Sequence, residues 1–281
     1  MKIILIAIFN LNFIYMLKQI RYILAACNQG QKKIGVEQGP KTVAHFLDKY
    51  EYINNEKFNN SNGYKILKEN VSKEIKNNNI PITLGGDHSI SLGSISGTLE
   101  NESDLTVIWV DAHPDINTKK SSSTGNLHGM PLSFLTGIED DKYEFQENYL
   151  KPENIIYIGI RDIDPFEQEI IDKYKIQYLT SEDINYNMDF LNKLIVKTKN
   201  IHLSLDVDVL DEKYMPCTGT IVNNGIDMKQ LEDIIKWSSN QGTIISADVV
   251  ELNPYLGRDK EVTESINNYY KILCFLQKYL N

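Results

Sequence analysis

The stretch Leu105–Asp115 reads LTVIWVDAHPD, six apolar or β-branched residues followed by three polar side chains within five residues. An apolar, β-branched run of this length predicts a strand buried on both faces, as in the parallel sheets of α/β proteins. The i, i+2, i+4 spacing of Asp111, His113 and Asp115 points all three the same way if the chain stays extended. The stretch therefore predicts a strand of a parallel sheet with a polar site at its carboxyl end.

The same alternation of apolar runs and amphipathic segments recurs along the chain. Further strands are predicted at Tyr22–Ala26, Ile80–Leu84, Ile155–Ile160, Ile201–Leu205 and Thr243–Val250. Helices are predicted at Lys41–Tyr52, Tyr64–Asn78, Pro165–Lys175, Asp189–Thr198, Asp227–Asn240 and Glu261–Tyr279. Strands that alternate with helices are typical of a parallel sheet covered on both faces. We expect an α/β fold: a single-domain, three-layer α/β/α architecture around a central, mainly parallel sheet.

Composition and charge narrow the classes of partner. The formal net charge is −9 and the chain has no long basic run, which argues against nucleic acid as a ligand. The acidic excess would suit a cationic ligand through long-range attraction. Three cysteines, Cys27, Cys217 and Cys274, have an odd total and no CxxC spacing, so a disulfide framework is not indicated and a reducing compartment is the simpler interpretation.

The N-terminus leaves two interpretations open. Met1–Leu17 reads MKIILIAIFNLNFIYML and superficially resembles a signal peptide or anchor. Asn10 and Asn12 interrupt the apolar run, which is short for a membrane span of about 20 residues. Residues 1–20 are therefore an apolar leader that either directs secretion or anchoring or has no function, with Met16 as an alternative start. We expect a cytoplasmic protein that does not bind a membrane.

Polar side chains follow five of the predicted strands. The segments are GGDHS at Gly85–Ser89, DAHPD at Asp111–Asp115, RDIDPFE at Arg161–Glu167, DVDVLD at Asp206–Asp211 and ELNP at Glu251–Pro254. A DxD segment alone is usually a turn or a cap. Because the carboxyl ends of parallel strands meet at one edge of a sheet, this set brings acids and histidines to a common rim and indicates a functional site.

The residue types at this rim favour a pair of metal ions. Four carboxylates meet there, and like charges a few ångströms apart cannot all stay ionised cheaply unless cations compensate them. Imidazoles join them and thiolates are absent, a donor set that suits Mn²⁺ better than structural zinc. We expect two Mn²⁺ ions per subunit, about 3.5–4 Å apart if one carboxylate bridges them. The candidate ligands are His88, Asp111, His113, Asp115, Asp206 and Asp208.

At these residues the sequence resembles the ureohydrolase superfamily and, within it, the arginase family. Three signatures occur in the family's order, GGDHS, DAHPD and SLDVDVLD (Ser204–Asp211), and GVEQGP at Gly35–Pro40 is similar to the family's early loop. The resemblance extends from Gly30 to the last helix. It implies an arginase-like catalytic domain over residues 21–281 that hydrolyses L-arginine to L-ornithine and urea. It also implies a homotrimer or hexamer.

The resemblance implies a role for each ligand. One Mn²⁺ would take His88, Asp111, Asp115 and Asp206, and the other Asp111, His113, Asp206 and Asp208. The family's nucleophile is a hydroxide between the metals, and the Asp115 position hydrogen-bonds it. His128 matches the family's proton-shuttling histidine, a role that suits the pKa of imidazole. Glu251 matches the acid that holds the guanidinium, which a carboxylate can pair through two parallel hydrogen bonds.

The loop DINTKKSSSTGNLHG, Asp115–Gly129, resembles the arginase loop and bears on the substrate. The resemblance places Asn117, Thr124 and Asn126 at the substrate α-carboxylate, Asp164 and Glu167 at its α-ammonium group, and Thr220 near the guanidinium. Agmatine lacks the carboxylate and would leave these polar partners unpaired, which is costly. Two alternatives stay open: an agmatinase or another ureohydrolase, and a catalytically degenerate member. The complete set of ligands argues against degeneracy.

Some residues depart from the family pattern. The loop CNQGQKKIG at Cys27–Gly35 keeps the family's Gly–Gln pair but replaces its usual Pro–Arg–Gly, which leaves substrate entry and the oligomer edge open. Pro114 stands where Ser or Thr is usual, and it removes a backbone donor beside His113. Glu212 follows Asp211 where Pro is frequent, and Val209 stands where a small residue is frequent; neither touches a ligand position, so we expect altered loop packing there and no loss of chemistry.

Overall fold

The fold is organised around one sheet of eight parallel strands in a computed structural model that describes residues 18–280. The strands are β1 (Ile20–Ala25), β2 (Tyr50–Ile53), β3 (Ile80–Gly85), β4 (Leu105–Val110), β5 (Ile155–Ile160), β6 (Gln177–Thr180), β7 (Asn200–Asp206) and β8 (Thr243–Val250). Their spatial order is β2-β1-β3-β8-β7-β4-β5-β6, and every adjacent pair is parallel. Most of the leader, residues 1–17, lies outside the described residues.

Helices cover both faces of the sheet. They are α1 (Gly39–Val43), α2 (Asn62–Lys76), α3 (Ser91–Leu99), α4 (Pro131–Thr136), α5 (Pro165–Tyr174), α6 (Ser181–Tyr186), α7 (Met228–Gln241) and α8 (Asp259–Leu280). Leu231 of α7 and Leu276 of α8 belong to one apolar core, whereas Leu67 of α2 and Ile95 of α3 belong to a second. The three-layer α/β/α prediction is therefore confirmed, and the sheet is parallel throughout. No helix among residues 18–280 is long and apolar enough to span a membrane.

Two predicted helices are wrong. The segment predicted at Lys41–Tyr52 contains only α1 and the 3-10 turn Ala44–Phe46 before the chain enters β2 at Tyr50. The segment predicted at Asp189–Thr198 contains the 3-10 helix Met188–Lys193 and then runs irregularly. There the Gln177 amide bonds both backbone groups of Ile195, accepting from its N–H at 2.9 Å and donating to its carbonyl at 2.9 Å. These bonds occupy backbone groups that a helix would need.

Helix α3 was missed because its sequence, SLGSISGTL, has no polar face. All nine of its residues are buried, as expected for a helix enclosed within a protein. Gly93 and Gly97 let it approach α2 closely, since a Cβ added to them would lie 2.6 Å from the Tyr64 carbonyl oxygen and 2.5 Å from that of Lys68. Its small residues therefore set the helix–helix distance, which hydrophobic periodicity does not reveal.

Gly86 fixes the segment that leads from β3 to His88. Its N–H donates to Ala25 O at 2.9 Å, and its carbonyl accepts from the N–H of Glu251 at 2.8 Å. A Cβ on this residue would lie 1.9 Å from Cys27 O, far inside van der Waals contact. The ends of β1, β3 and β8 are thus held together at a point where a side chain has no room.

We expect Gly86→Ala to destabilise the protein, because the added methyl group must displace the backbone of Cys27. Overpacking of this kind costs about 1–3 kcal/mol or more, to be measured as the free energy of unfolding in urea without metal. Gly129→Ala is the control, since its Cβ would meet only Asp115 Oδ1 at 4.0 Å. Equal stability losses in the two variants would contradict the packing argument.

Candidate metal centre and active site

The order of the strands brings the polar segments together. Strands β3, β8, β7, β4 and β5 are consecutive neighbours in the sheet, although they are far apart in sequence. Each is followed by one of the polar segments predicted from the sequence, so their carboxyl ends form a single rim. His88 follows β3, Asp111 follows β4, Asp206 ends β7 and Glu251 follows β8.

One group of carboxylate oxygens at the rim surrounds Nδ1 of His88. This atom lies 3.0 Å from Asp111 Oδ2, 3.2 Å from Asp206 Oδ2 and 3.3 Å from Asp115 Oδ2. His88 Nδ1 and Asp111 Oδ2 are buried and have no hydrogen-bond partner among residues 18–280. Burying polar atoms without a hydrogen-bond partner costs free energy, unless another group binds them. A nitrogen and carboxylate oxygens that converge in this way fit a cation.

A second group shares Asp111 with the first. His113 Nδ1 lies 3.2 Å from Asp208 Oδ2 and 3.4 Å from Asp111 Oδ1. In both triads, His88–Asp111–Asp206 and Asp111–His113–Asp208, the candidate ligand atoms all lie within 4.8 Å of one another. Asp111 thus offers one oxygen to each group, which suits a bridging ligand. Bridging by Asp206 stays a prediction, because Asp206 belongs to the first triad only.

The orientation of His88 is fixed by neighbours that do not belong to either group. Its Nε2 lies 2.9 Å from Ser204 Oγ, and its ring stacks on Trp109 with centroids 3.9 Å apart and planes 6° apart. With Nε2–H donated to Ser204, Nδ1 is the atom left to bind a cation. Ser204 was missed as a site residue, although it lies two residues before Asp206 on the same side of β7 and alternation could have identified it.

Electrostatics make the rim a place where protons and cations compete. Burial raises the pKa of Asp206 well above its ordinary value, and burial together with the charge of Asp111 raises that of Asp115 to about 6. Burial opposes a charged imidazole at His88, but the carboxylates of Asp111, Asp115 and Asp206 around its Nδ1 outweigh burial and raise its pKa well above the usual value. A cation that binds here therefore displaces protons from the ring and the carboxyl groups.

A cleft of about 130 Å³ opens beside these groups. It is lined by His113, Asp115, Asn117, Ser122, Ser123, Thr124, His128, Gly129, Asp162, Asp164, Glu167, Asp206 and Thr220. All the substrate-side residues predicted from the sequence line it or its base except Asn126, which lies outside the lining and donates its N–H to Thr124 Oγ1 at 3.1 Å. A larger, open groove between residues 211–223 and 258–264 holds none of these side chains.

The outer end of the cleft is organised by Asn117. Its Nδ2 donates to Asp164 Oδ2 at 2.8 Å, and its Oδ1 accepts from Ser121 Oγ at 2.8 Å. Glu167 is buried, and its two oxygens accept the N–H groups of Ile116 at 3.1 Å and Asp164 at 3.0 Å. Burial raises the pKa of Glu167 to about 8. Its carboxyl group thus caps α5, and contact with a substrate ammonium stays a prediction.

Glu251 lies at the base of the rim with both carboxylate oxygens engaged. Oε1 accepts the His88 N–H at 2.9 Å and lies 3.0 Å from His128 Nδ1, and Oε2 accepts from Gln31 Nε2 at 2.7 Å. The structure therefore brings together His128 and Glu251, to which the sequence analysis gave separate roles. The backbone of Glu251 has φ 71° and that of Asp115 has φ 50°, a left-handed conformation rare in residues other than glycine and often found at functional sites.

The loop Cys27–Gly35, which departs from the family pattern, contacts the site. Gln31 bonds Glu251, and Lys33 Nζ donates to the carbonyl oxygen of Gly219. Gly219 precedes Thr220, whose Oγ1 donates to Asp208 Oδ2 at 2.9 Å. The loop thus supports the segment that carries Thr220. Sequence analysis missed Gln31 and Lys33, because nothing local shows which distant segment such a side chain reaches.

Fold and site together define a class, the metal-dependent α/β enzymes with an acid-rich site at the carboxyl rim of a parallel sheet. The arginase family model matches residues 18–269. An arginase from Entamoeba histolytica is 35% identical over an alignment that covers 92% of this chain and 99% of that protein. An arginase from Staphylococcus aureus is 36% identical and covers 88% and 94%, respectively. The chain belongs to the arginase family.

The structural comparison agrees. The crystal structure of Entamoeba histolytica arginase in complex with L-ornithine superposes with a TM-score of 0.80 at 29% sequence identity. The superposition covers 92% of this chain and 99% of that one. The family is metal-dependent, and both groups of metal-binding side chains are present at the rim.

Metal binding should depend on pH, because protons and metal ions compete for the same side chains at the rim. Since His88 and Asp115 have raised pKa values without metal, we expect the affinity for Mn²⁺ to rise as the pH rises through about 6, where Asp115 ionises, and to rise further where His88 loses its proton. Titration calorimetry in buffers of different ionisation enthalpy measures the release of protons on binding. His45→Ala removes an exposed histidine outside the rim and should change nothing. An affinity for Mn²⁺ independent of pH would contradict this assignment.

Proposed function

We propose that this chain is a binuclear manganese arginase that converts L-arginine and water to L-ornithine and urea. The observation that carries the proposal is Asp111, which offers one oxygen to each of two groups of metal-binding side chains. Membership of the arginase family supports it, as does the likeness to a relative crystallised with L-ornithine, a product of this reaction. We further propose that residues 21–281 form the catalytic domain of a cytoplasmic homotrimer or hexamer.

Each half of the proposed centre has a set of candidate ligands. His88, Asp111, Asp115 and Asp206 would hold one ion, and Asp111, His113, Asp206 and Asp208 would hold the other, so the two halves share Asp111 and Asp206. The carboxylate and imidazole donors favour Mn²⁺. Two such ions would lower the pKa of a water molecule and so supply hydroxide near neutral pH. Asp115, which lines the cleft, would orient that nucleophile by accepting its hydrogen bond.

Glu251 and His128 act on the guanidinium end of the substrate. Both oxygens of Glu251 face N–H donors, His128 and Gln31, at positions suited to the parallel hydrogen bonds of a guanidinium group. When arginine binds, its guanidinium group joins these donors in hydrogen-bonding the Glu251 carboxylate. Burial opposes the imidazolium form of His128, but the bond to Glu251 raises its pKa to about 9. His128 therefore carries a proton at neutral pH and delivers it to the departing amine.

The outer end of the cleft favours an amino acid over a simple amine. The hydroxyl groups of Ser122, Ser123 and Thr124 line it beside Asn117 and suit an α-carboxylate. Asn126, whose N–H donates to Thr124 Oγ1, is a further proposed partner of that group. The exposed carboxylate of Asp164, with Glu167 behind it, suits an α-ammonium group. Thr220 lies at the inner end, next to Asp208. Agmatine would leave the carboxylate partners unpaired, so agmatinase is the less favoured alternative.

We expect Mn²⁺-dependent release of urea from L-arginine, with kcat/KM exceeding that for agmatine by about 10²-fold or more. Purified protein is assayed with both substrates before and after Mn²⁺ loading. Glu251→Gln should lower kcat/KM for arginine by about 10²-fold or more, because a neutral amide binds the cation poorly. Glu261→Gln is the matched control, since the one ion pair of Glu261 within residues 18–280 is with the exposed Arg258.

Two results would contradict this proposal in different ways. Turnover of agmatine in preference to arginine would keep the metal chemistry but overturn the roles given to Asn117, Thr124 and Asp164. Normal Mn²⁺ binding without turnover of either substrate would favour a catalytically degenerate member of the family.

A further inference from the structure

Arg161 is the first residue after β5, and the proposed reaction gives it no role. Its side chain is partly buried, yet it pairs with no carboxylate within residues 18–280. Instead its guanidinium donates only to main-chain carbonyl oxygens, those of Gly159, Asp208, Val209, Val222 and Asn223. An arginine that saturates its donors with backbone acceptors acts as a structural connector between segments.

The guanidinium joins two segments that meet at the metal centre. Nη2 donates to Asp208 O at 2.7 Å and to Val222 O at 2.9 Å. Nη1 donates to Val209 O at 3.3 Å, and Nε donates to Asn223 O at 3.2 Å. The guanidinium group thus bonds both the turn that carries Asp208 and the loop formed by residues 218–224, and Nη2 bonds the two at once.

That loop reaches back to the carboxylate of the same aspartate. Thr220 Oγ1 donates to Asp208 Oδ2 at 2.9 Å, and Oδ2 is the oxygen nearest to His113 Nδ1. Arg161 therefore acts on Asp208 twice, directly at its carbonyl oxygen and indirectly through the loop that presents Thr220.

The backbone of Arg161 also bonds the segment that carries Asp111 and His113, the other two members of the Asp111–His113–Asp208 triad. The N–H groups of Arg161 and Asp162 donate to Ala112 O at 2.8 and 3.1 Å, and Ala112 N donates to Asp208 Oδ1 at 3.3 Å. Ala112 lies between Asp111 and His113. One residue thus contacts every segment that supplies the Asp111–His113–Asp208 triad. By contrast, His88 is held by Ser204, Trp109 and Glu251, none of which Arg161 contacts.

We propose that Arg161 is a positioning residue for one half of the metal centre, which holds Asp208 and Thr220 in register with Asp111 and His113. The inference rests on the proposed function, because it requires that two ions bind. A planar fork is needed to bridge two segments at once, and lysine, a single charged point on a flexible stem, cannot replace it.

The test is calorimetric titration of metal-free protein with Mn²⁺ alone, for wild type, Arg161→Lys and Arg161→Gln. We expect two ions to bind to wild type. In the variants, the first ion should bind within about two-fold of its wild-type affinity and the second at least about 10-fold more weakly, as for other residues that orient metal ligands. Arg258→Lys is the matched control, since Arg258 is exposed and its one ion pair in the described part of the chain is with Glu261, and it should change neither affinity.

Two outcomes would overturn the role of Arg161: wild-type affinity for both ions, or an equal loss for both. The thermal unfolding midpoint of each metal-free variant is measured alongside, and a lower midpoint with unchanged Mn²⁺ affinities would reduce Arg161 to a general structural role. Two replacements are used, so that the test can still be made with one variant if the other fails to fold. Fewer than two ions on wild type would contradict the two-ion function itself, a result distinct from the others.

Discussion

The rest of the structure depends on the burial of charge at one rim of the sheet. Asp111 is fully buried; the His113 N–H donates to its Oδ1 at 2.7 Å, and its Oδ2 has no hydrogen-bond partner among residues 18–280. Asp206 is arranged in the same way, with Oδ1 bound to a backbone amide and Oδ2 directed at His88. A backbone N–H thus takes one lone pair of each carboxylate, and the remaining lone pairs are left to cations. Without one, the rim must hold protons, since unpaired buried charges are too costly.

The topology of the sheet makes this arrangement possible. In the order β3-β8-β7-β4-β5, strands from both halves of the chain lie side by side, so segments separated by more than 150 residues supply one site. Because all strands are parallel, their carboxyl ends share an edge, and rigid strands hold the ligands more precisely than free loops would. By contrast, Ser122 to Thr124, which line the cleft, lie on a loop. Substrate specificity can change there without loss of the metal centre.

The sequence predicts the central strands, which the structure confirms, and it identifies candidate metal ligands, because both leave local signals. A buried parallel strand is a continuous apolar run, and polar clusters directly after several such runs indicate a site. Edge strand β2 was missed because only Ile53 of its four residues is buried, so its pattern resembles the end of an amphipathic helix. Gln31 and Arg161 were missed for another reason: their partners are far away in sequence, and many of them are backbone carbonyl oxygens that any residue would supply.

The central claim is that Asp111 bridges two metal ions, and the most direct test is a crystal structure of the Mn²⁺-loaded protein with anomalous diffraction. The account predicts two anomalous peaks about 3.5–4 Å apart, with one oxygen of Asp111 bound to each ion, His88 at one ion and His113 at the other. A single peak, or two peaks of which only one contacts Asp111, would contradict it.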